Sequence, residues 1–432
     1  MEKPMKHTNL TYIAQGSLTT SLSPEDTKNL LAQGFAAWAK HHDQEPKKVL
    51  AIPPDITRFH SQAGMLTGQC HDYFGASLTD IMPALGTHAP MRADELDEMF
   101  PGVPHDLFRE HKWRDDLVTL GQVPQEFVEK VSLGRVHYSW PAQVNKLLVQ
   151  GNFDLILSIG QVVPHEVIGM ANHNKNIFVG VGGSGGIHKS HFLGAAYGME
   201  QIMGKADTPV RQVLNYAEQE FGQDLPILYI LTVIGSDEKG HLHLRGLFMG
   251  EGQDCFLQAA ELSRQVNITF LPKPLKRAVV YLDPKEFRST WLGNKAVYRT
   301  RMAMADGGQL LILAPGLKEF GEDKEIDRLI RKYGYRGTPA TLKAVDENPE
   351  LAENLSAAAH LIHGSSEGRF TITYAPGHLT ESEITGAGFA YAPLAELLTR
   401  YTPETRLTGF YEDEEGEYFF VSNPALGLWG VE

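Results

Sequence analysis

The sequence predicts an α/β protein with two α/β domains, because short β-branched apolar runs alternate with longer helical patterns along the whole chain. This alternation is typical of mostly parallel sheets whose strands are joined by crossover helices. The length of 432 residues fits such a division, at a prior of about 150 residues per domain. The pattern breaks at the segment KPLK, and we therefore predict domains at residues 1–273 and 274–432.

The first domain is expected to hold a mostly parallel, Rossmann-like sheet. Its predicted strands are Lys47 to Ile52, Leu78 to Leu85, Asp154 to Gly160, Asn176 to Val181 and Pro226 to Gly235. Its predicted helices are the acidic-capped Arg92 to Phe100 and the longer Gly204 to Gly222. Polar residues that directly follow such strands are candidates for a ligand site, because ligands of open α/β sheets bind beyond the carboxyl ends of the strands.

The second domain repeats the alternation of strands and helices. Its predicted strands are Arg277 to Pro284, Gly308 to Pro315 and Phe370 to Gly377. Its predicted helices are Glu286 to Ala305, Glu322 to Gly334, Leu342 to His363 and Ala392 to Tyr401. The pattern predicts a second α/β unit of its own.

Composition and charge exclude several classes of protein. The chain has 39 Lys and Arg against 53 Asp and Glu, a formal charge of -14, which disfavours nucleic acid as a partner. With only Cys70 and Cys255, neither a disulfide framework nor a Cys-rich metal site can form. The N-terminus has no signal-peptide pattern and no run reaches the roughly 18 apolar residues of a membrane span, so we expect a cytoplasmic protein.

Four clusters of chemically capable side chains follow predicted strands. Asp55 and Arg58 follow the first strand and His88 follows the second. The third strand is followed by the segment QVVPHEVIGMANHNK, which carries His165, His173 and Lys175. His188 and His191 come after the glycine-rich VGVGGSGG. Each residue alone could be an ordinary loop or core residue, but their recurrence at one sheet edge indicates a functional site, because buried charges are costly unless paired.

The glycine run leaves two interpretations open. Gly180, Gly182 and Gly185 fit G-x-G-x-x-G, which would favour dinucleotide binding, although no acidic residue closes a second strand about 20 residues on. Alternatively, Gly182 and Gly183 could let backbone amides approach a phosphate or a flat cofactor. The histidines also permit a metal site, and their spacing does not choose between zinc, nickel and none.

Taken together, these clusters resemble the nickel-dependent lactate racemase family, whose members carry a nickel-pincer nucleotide. The resemblance rests on five features of this sequence: D-I-T-R at 55–58, A-L-G-T-H at 84–88, V-V-P-H at 162–165, Lys175 and His191. It implies a cofactor-binding N-terminal domain, a C-terminal domain that closes the active site, and an active site in the cleft between them. It also implies partner proteins that synthesise and load the nickel nucleotide.

The resemblance assigns roles to individual residues. Lys175 would carry the cofactor covalently, with His173, Gly182 and Gly183 as further cofactor contacts, and His191 would bind nickel. His88 and His165 would be the acid/base pair, with Asp55 and Arg58 orienting them or the substrate carboxylate. In the second domain, Trp291 and Lys295 would contact the substrate. The family's glycine-rich loop before the cofactor lysine is replaced here by MANHN, and Leu292 stands where a polar amide is common.

The activity implied is inversion of the C2 stereocentre of a 2-hydroxy acid that is lactate-like, malate-like or a sugar acid. Transfer of the C2 hydrogen as a hydride to the cofactor avoids a dianion intermediate. Two histidines can act on the two enantiomers of the substrate because imidazole gains and loses protons near neutrality. Two alternatives stay open from the residues: an NAD-dependent 2-hydroxy acid dehydrogenase, and a non-enzymatic carrier of nickel or the cofactor. A zinc hydrolase is disfavoured, since no Glu stands beside a clear ligand triad.

Overall fold

The structure is a computed structural model that describes residues 9–237, 241–321 and 323–431. The described chain forms two compact units. The first contains the residues up to Ser190 together with 203–267, and the second contains residues 191–202 together with the residues from Ile268 onward. The predicted domain boundary after residue 273 stays a prediction. No helix in the described residues is both long enough and apolar enough to cross a membrane.

The strands and helices are as follows. The strands are β1 Leu10–Gly16, β2 Val49–Ile52, β3 Leu78–Ile81, β4 Leu117–Val123, β5 Trp140–Asn145, β6 Leu155–Gln161, β7 Pro164–His165, β8 Gly169–Met170, β9 Ile227–Ser236, β10 Leu242–Glu251, β11 Thr269–Leu271, β12 Leu275–Tyr281, β13 Met304–Ala314, β14 Thr371–Pro376, β15 Ala390–Tyr391, β16 Gly409–Asp413, β17 Gly416–Val421 and β18 Trp429–Val431. The helices are α1 Pro24–His42, α2 Ala63–Phe74, α3 Ala93–Met99, α4 Gln125–Val131, α5 Lys146–Gln150, α6 Ser184–Tyr197, α7 Met199–Ile202, α8 Pro209–Phe221, α9 Asp254–Asn267, α10 Thr290–Gly293, α11 Lys295–Thr300, α12 Lys324–Tyr333, α13 Thr338–Glu347, α14 Pro349–Ala352, α15 Leu355–His363, α16 Glu381–Gly386 and α17 Leu394–Tyr401.

The first unit is built on a six-stranded sheet in the order β1-β10-β9-β6-β2-β3. Strands β3, β2, β6 and β9 pair in parallel, while β10 and β1 complete the sheet in antiparallel fashion. Strands β2 and β6 are buried along their whole length, as expected for central parallel strands covered on both faces. Because β2, β3 and β6 are parallel, the residues that follow them emerge at one edge of the sheet.

The second unit has its own six-stranded sheet, in the order β15-β14-β13-β12-β17-β16. All pairs in it are parallel except β16 with β17. Its core includes Val279, Leu313 and Phe420 from three adjacent strands, with Tyr401 of α17 packed on them. The predicted class, an α/β protein with two α/β domains and mostly parallel sheets, is therefore confirmed.

Several individual predictions are wrong. The run at 176–181, predicted as a strand, forms a π-helical turn over Asn176–Gly180 in which every residue is buried. A short buried apolar run has no period that separates strand from helix, so only its surroundings decide its conformation. The predicted helix at 286–305 is instead the two short helices α10 and α11 followed by the start of β13, and the predicted helix at 342–363 is divided among α13, α14 and α15.

Candidate functional site

Four predicted site residues of the first unit follow β2, β3 and β6. Asp55 begins the 3-10 turn Ile56–Ser61 after β2, and Arg58 lies within that turn. His88 lies in the loop after β3, and His165 ends the two-residue strand β7 after β6. The loops after β2 and β3 stay paired beyond the sheet, since the amide of Ala84 donates to the Pro53 carbonyl at 2.7 Å. The loops that carry these four residues therefore leave the sheet at the same edge, and the roles of the residues stay predictions.

Asp55 and His88 form a direct pair. The Nδ1 atom of His88 lies 2.6 Å from Oδ2 of Asp55. The other carboxylate oxygen, Oδ1, accepts from the backbone N–H and the hydroxyl of Thr57 at 3.2 and 2.5 Å. Burial alone would raise the pKa of Asp55, but the hydrogen bonds from His88 and Thr57 outweigh it and lower that pKa below its ordinary value. Asp55 is therefore ionised near neutral pH and fixes the orientation of the His88 ring.

Lys175 immediately precedes the π-helical turn, at the same edge of the sheet. The next residue, Asn176, donates from its side-chain amide to the Ile52 carbonyl at 2.9 Å and to the Ser158 hydroxyl at 3.1 Å. These bonds tie the turn to the carboxyl ends of β2 and β6. The Lys175 side chain is partly buried, and within the described residues it forms no ion pair or side-chain hydrogen bond.

The surroundings of Lys175 make its amine unusually easy to deprotonate. Burial is the main cause and the positive charge of Arg58 the next, and together they lower the Lys175 pKa from 10.5 to about 8, although the charges of Glu166 and Asp55 act in the opposite direction. A lysine with this pKa has a substantial neutral, nucleophilic fraction near physiological pH. Arg58, Asp55, Glu166 and Lys175 therefore form one electrostatic group, and Glu166 is a member that the sequence analysis missed.

His165 is held by the turn that connects β7 with β8. Its Nδ1 accepts a hydrogen bond from the backbone N–H of Val167 at 3.1 Å, and the carboxylate of Glu166 lies 3.9 Å from the same nitrogen. The ring is mostly buried, with 12% of the side chain exposed. A neutral His165 that accepts at Nδ1 must carry its proton on Nε2.

The glycines after Lys175 pack closely against their neighbours. A Cβ atom on Gly182 would lie 2.0 Å from the Phe178 carbonyl oxygen, and one on Gly183 would lie 2.5 Å from the side-chain oxygen of Gln143. The carbonyl of Gly182 also accepts from Nε2 of the buried His111 at 2.9 Å. A π-helical turn and not a strand directly precedes this run, so the run lacks the strand–turn–helix context of a dinucleotide fingerprint. The assignment of Gly182 and Gly183 as cofactor contacts stays a prediction.

His173 lies in the hydrophobic core. Its ring is fully buried between Tyr229, at 3.9 Å between ring centroids, and Phe256, at 5.1 Å. Its Nε2 bonds to the Gly252 carbonyl at 2.7 Å. Burial lowers its pKa to about 4, so the ring is neutral at physiological pH. The position of His173 supports a packing role and does not support the predicted contact with a cofactor.

The remaining predicted residues belong to the second unit. His191 lies in α6, partly buried. The ring of Trp291 packs on that of His360 at 4.4 Å between centroids. Lys295 begins α11, with its Nζ 5.9 Å from the centroid of the Phe287 ring. Their assigned roles, nickel ligand for His191 and substrate contacts for Trp291 and Lys295, stay predictions, as does the location of the active site in a cleft between domains.

Metal coordination by the protein alone is not indicated. Across the described ranges, no group of three or more His, Cys, Asp and Glu side chains is arranged to hold a metal ion. A zinc site normally uses three or four protein ligands, so the described residues do not provide one. A metal that arrived with its own donor atoms would need a single protein ligand, and this requirement is compatible with one histidine.

Comparison with known proteins gives a consistent result. Residues 34–202 match the family model of the lactate racemase N-terminal domain. The chain resembles a crystal structure of a protein from Thermotoga maritima with a TM-score of 0.77 and 23% identity, over 98% of this chain and 100% of that one. It also resembles the lactate racemase apoprotein from Thermoanaerobacterium thermosaccharolyticum with a TM-score of 0.69 and 15% identity, over 99% of this chain and 96% of that one. A search of curated proteins gave no significant match.

Proposed function

We propose that this protein is an isomerase that inverts the C2 stereocentre of a 2-hydroxy acid. The premise is that residues 34–202 match the family model of the lactate racemase N-terminal domain. The observation that supports this most strongly is the grouping of the Asp55–His88 pair with the partly buried Lys175 at one sheet edge. An acid/base histidine beside a nucleophilic lysine suits an enzyme that handles a hydroxyl proton next to a covalently held cofactor.

The proposed cofactor is a nickel-pincer nucleotide attached at Lys175. The residues fit such a group, because the Lys175 amine has a pKa of about 8 and no hydrogen-bonded partner in the described residues. When bound, this cofactor would supply an electron-poor centre that accepts and returns the C2 hydrogen with its electron pair. His191 would be the protein ligand to nickel, and Gly182 and Gly183 would lie near the nucleotide. Proteins that synthesise and load the cofactor would be partners of the chain, which we expect to be cytoplasmic.

His88 would remove the hydroxyl proton of the substrate. Because the ionised Asp55 accepts from Nδ1–H of His88, the neutral ring has its lone pair on Nε2. That nitrogen can accept a proton, and the imidazolium that results is stabilised by the Asp55 carboxylate at 2.6 Å. Asp55 thus acts through His88, by fixing its tautomer and its charge.

His165 would be the acid/base residue for the opposite enantiomer of the substrate. Its Nδ1 accepts from Val167, so the neutral ring carries its proton on Nε2 and differs at this atom from His88. When His165 carries two protons, Nδ1 can no longer accept from Val167, and the carboxylate of Glu166, 3.9 Å from Nδ1, places a negative charge near the ring. Two histidines with different resting tautomers suit a reaction in which one ring takes a hydroxyl proton and the other returns one.

The substrate carboxylate would be held by cationic side chains. Arg58 is exposed in the turn after β2, and its charge acts on the Lys175 amine. An arginine fork can bind a carboxylate through two parallel hydrogen bonds. In the second unit, Lys295 and Trp291 would complete the contacts. We propose a lactate-like, malate-like or sugar acid as substrate.

The deciding experiment uses protein produced in a host that makes the nickel nucleotide. Intact mass and metal analysis should show an adduct and about one nickel per chain. Each enantiomer of lactate, malate and a sugar acid is then incubated with the protein and followed by chiral chromatography. We expect at least one acid to be inverted with no net redox change. Retained inversion in Lys175→Ala would contradict the proposal.

The histidine variants separate catalysis from cofactor attachment. His88→Asn and His165→Asn should each lower inversion by at least about a hundredfold while the adduct on Lys175 remains. A carrier protein would bind the cofactor but leave every acid in the panel unchanged. An NAD-dependent dehydrogenase would instead reduce added NAD, which is read by absorbance; the missing strand before Gly182 disfavours this alternative.

A further inference from the structure

A buried guanidinium lies beneath the loop that leads to Lys175. Arg211, on α8, has only 2% of its surface exposed. Its Nη2 donates to the carbonyls of Met170 and Asn172 at 2.7 and 3.2 Å, and its Nη1 donates to the side-chain oxygen of Asn174. Burying a charge is costly unless it is paired and hydrogen-bonded, so this arginine needs a specific role.

Asn174 connects this guanidinium to a buried carboxylate. Its side-chain amide donates to Oε2 of Glu218 at 2.9 Å, while its oxygen accepts from Arg211. Glu218 is 5% exposed and also accepts from the hydroxyl of Tyr229. The residue directly before Lys175 is therefore held between two opposite buried charges.

The loop at residues 170–174, which Arg211 binds, has an unfavourable backbone conformation. Asn172 and His173 have φ values of 68° and 59°, in the left-handed region. For residues with a side chain this region is less favourable than the right-handed one, so it persists only where the surroundings enforce it. Arg211 binds the carbonyls of Met170 and Asn172, and the side chain of Asn176 fixes the chain after Lys175.

We propose that Arg211 is a positioning residue for Lys175: its fork fixes the loop at residues 170–174 so that the lysine amine is held partly buried at the carboxyl edge of the sheet. The positioning of the amine is argued from the structure alone; only its use, the attachment of a cofactor, rests on the proposed function. The charge of Arg211 also contributes to the lowered pKa of Lys175, in the same direction as that of Arg58.

The test labels Lys175 in protein made without the cofactor. A brief pulse of acetic anhydride is given over a range of pH, and modification of the Lys175 peptide is measured by mass spectrometry. The wild-type midpoint should lie near the Lys175 pKa of about 8. In the double variant Arg211→Met with Glu218→Gln, which removes both buried charges together, we expect the midpoint to rise by about one unit or more and labelling at pH 7.5 to fall about tenfold.

Further variants keep the test decisive. Arg211→Lys keeps the charge but cannot reach all three acceptors, so it should also raise the labelling midpoint of Lys175. This variant replaces the double variant in the test if the double variant does not fold. The control Arg245→Met removes an arginine of the same unit that donates to the Thr20 carbonyl, and it should keep the wild-type midpoint. A wild-type midpoint in either folded Arg211 variant would overturn the proposal. A raised midpoint in the variants, together with no adduct on wild-type protein made in a host that produces the nickel nucleotide, would support the positioning role and count against the proposed function.

Discussion

Lys175 should react as a neutral amine at physiological pH, and the charges around it should tune that reactivity in opposite directions. With a pKa of about 8 instead of 10.5, about a quarter of the amine is neutral at pH 7.5, against about a thousandth for an ordinary lysine. The rate of acetylation of Lys175 at that pH should therefore exceed that of a single-lysine reference peptide by about two hundredfold. Each rate is first divided by its plateau value at high pH, which corrects for the accessibility of the amine.

Two substitutions separate electrostatics from a general loosening of the site. Arg58→Met removes a charge that lowers the Lys175 pKa, so the labelling midpoint should rise yet stay below 10.5, because burial is the larger cause. Glu166→Gln removes a charge that raises this pKa, so the midpoint should fall. Arg58→Lys keeps the charge and should change the midpoint least. A wild-type midpoint near 10.5, or shifts of the same sign in Arg58→Met and Glu166→Gln, would refute this reasoning.

Three further predictions concern the Asp55–His88 pair and the glycine run. Asp55→Asn should lower the rate of inversion by about 10²- to 10⁴-fold with a smaller effect on KM, because the imidazolium form of His88 loses its counter-charge; an unchanged rate would remove Asp55 from the mechanism. Since the folded-state pKa of Asp55 is lowered, its ionised form stabilises the protein above about pH 4, and this contribution disappears as the pH falls through the folded value. Urea unfolding should therefore show less loss of stability in acid for Asp55→Asn than for the wild type. Gly182→Ala should destabilise the protein by about 1–3 kcal/mol in the same assay, because the new methyl would lie 2.0 Å from the Phe178 carbonyl oxygen. The control Gly185→Ala, whose methyl would have its nearest atom at 3.1 Å, should lower the stability less. Equal losses of stability in the two variants would contradict the steric argument.

The sequence predicts those features of the fold that depend on the order and period of apolar residues. Strands β2, β6 and β9 lie close to the predicted ranges, because their apolar runs are bounded by polar and turn residues. Helix α8 begins at Pro209 with Thr208 as its cap, a start signal that local chemistry sets. The turn at Asn176–Gly180 does not follow from its apolar residues, because its form depends on the bonds of the Asn176 side chain to two distant strands.

Sequence pattern is enough to predict the α/β class and to place Asp55, His88 and His165 after parallel strands, whose carboxyl ends meet at one edge of the sheet. The folded structure was needed to show that His88 pairs with Asp55, that His173 is a core residue, and that Arg211 holds the loop before Lys175. These outcomes depend on contacts between residues far apart in the chain, and local pattern carries no information about which buried donor meets which acceptor.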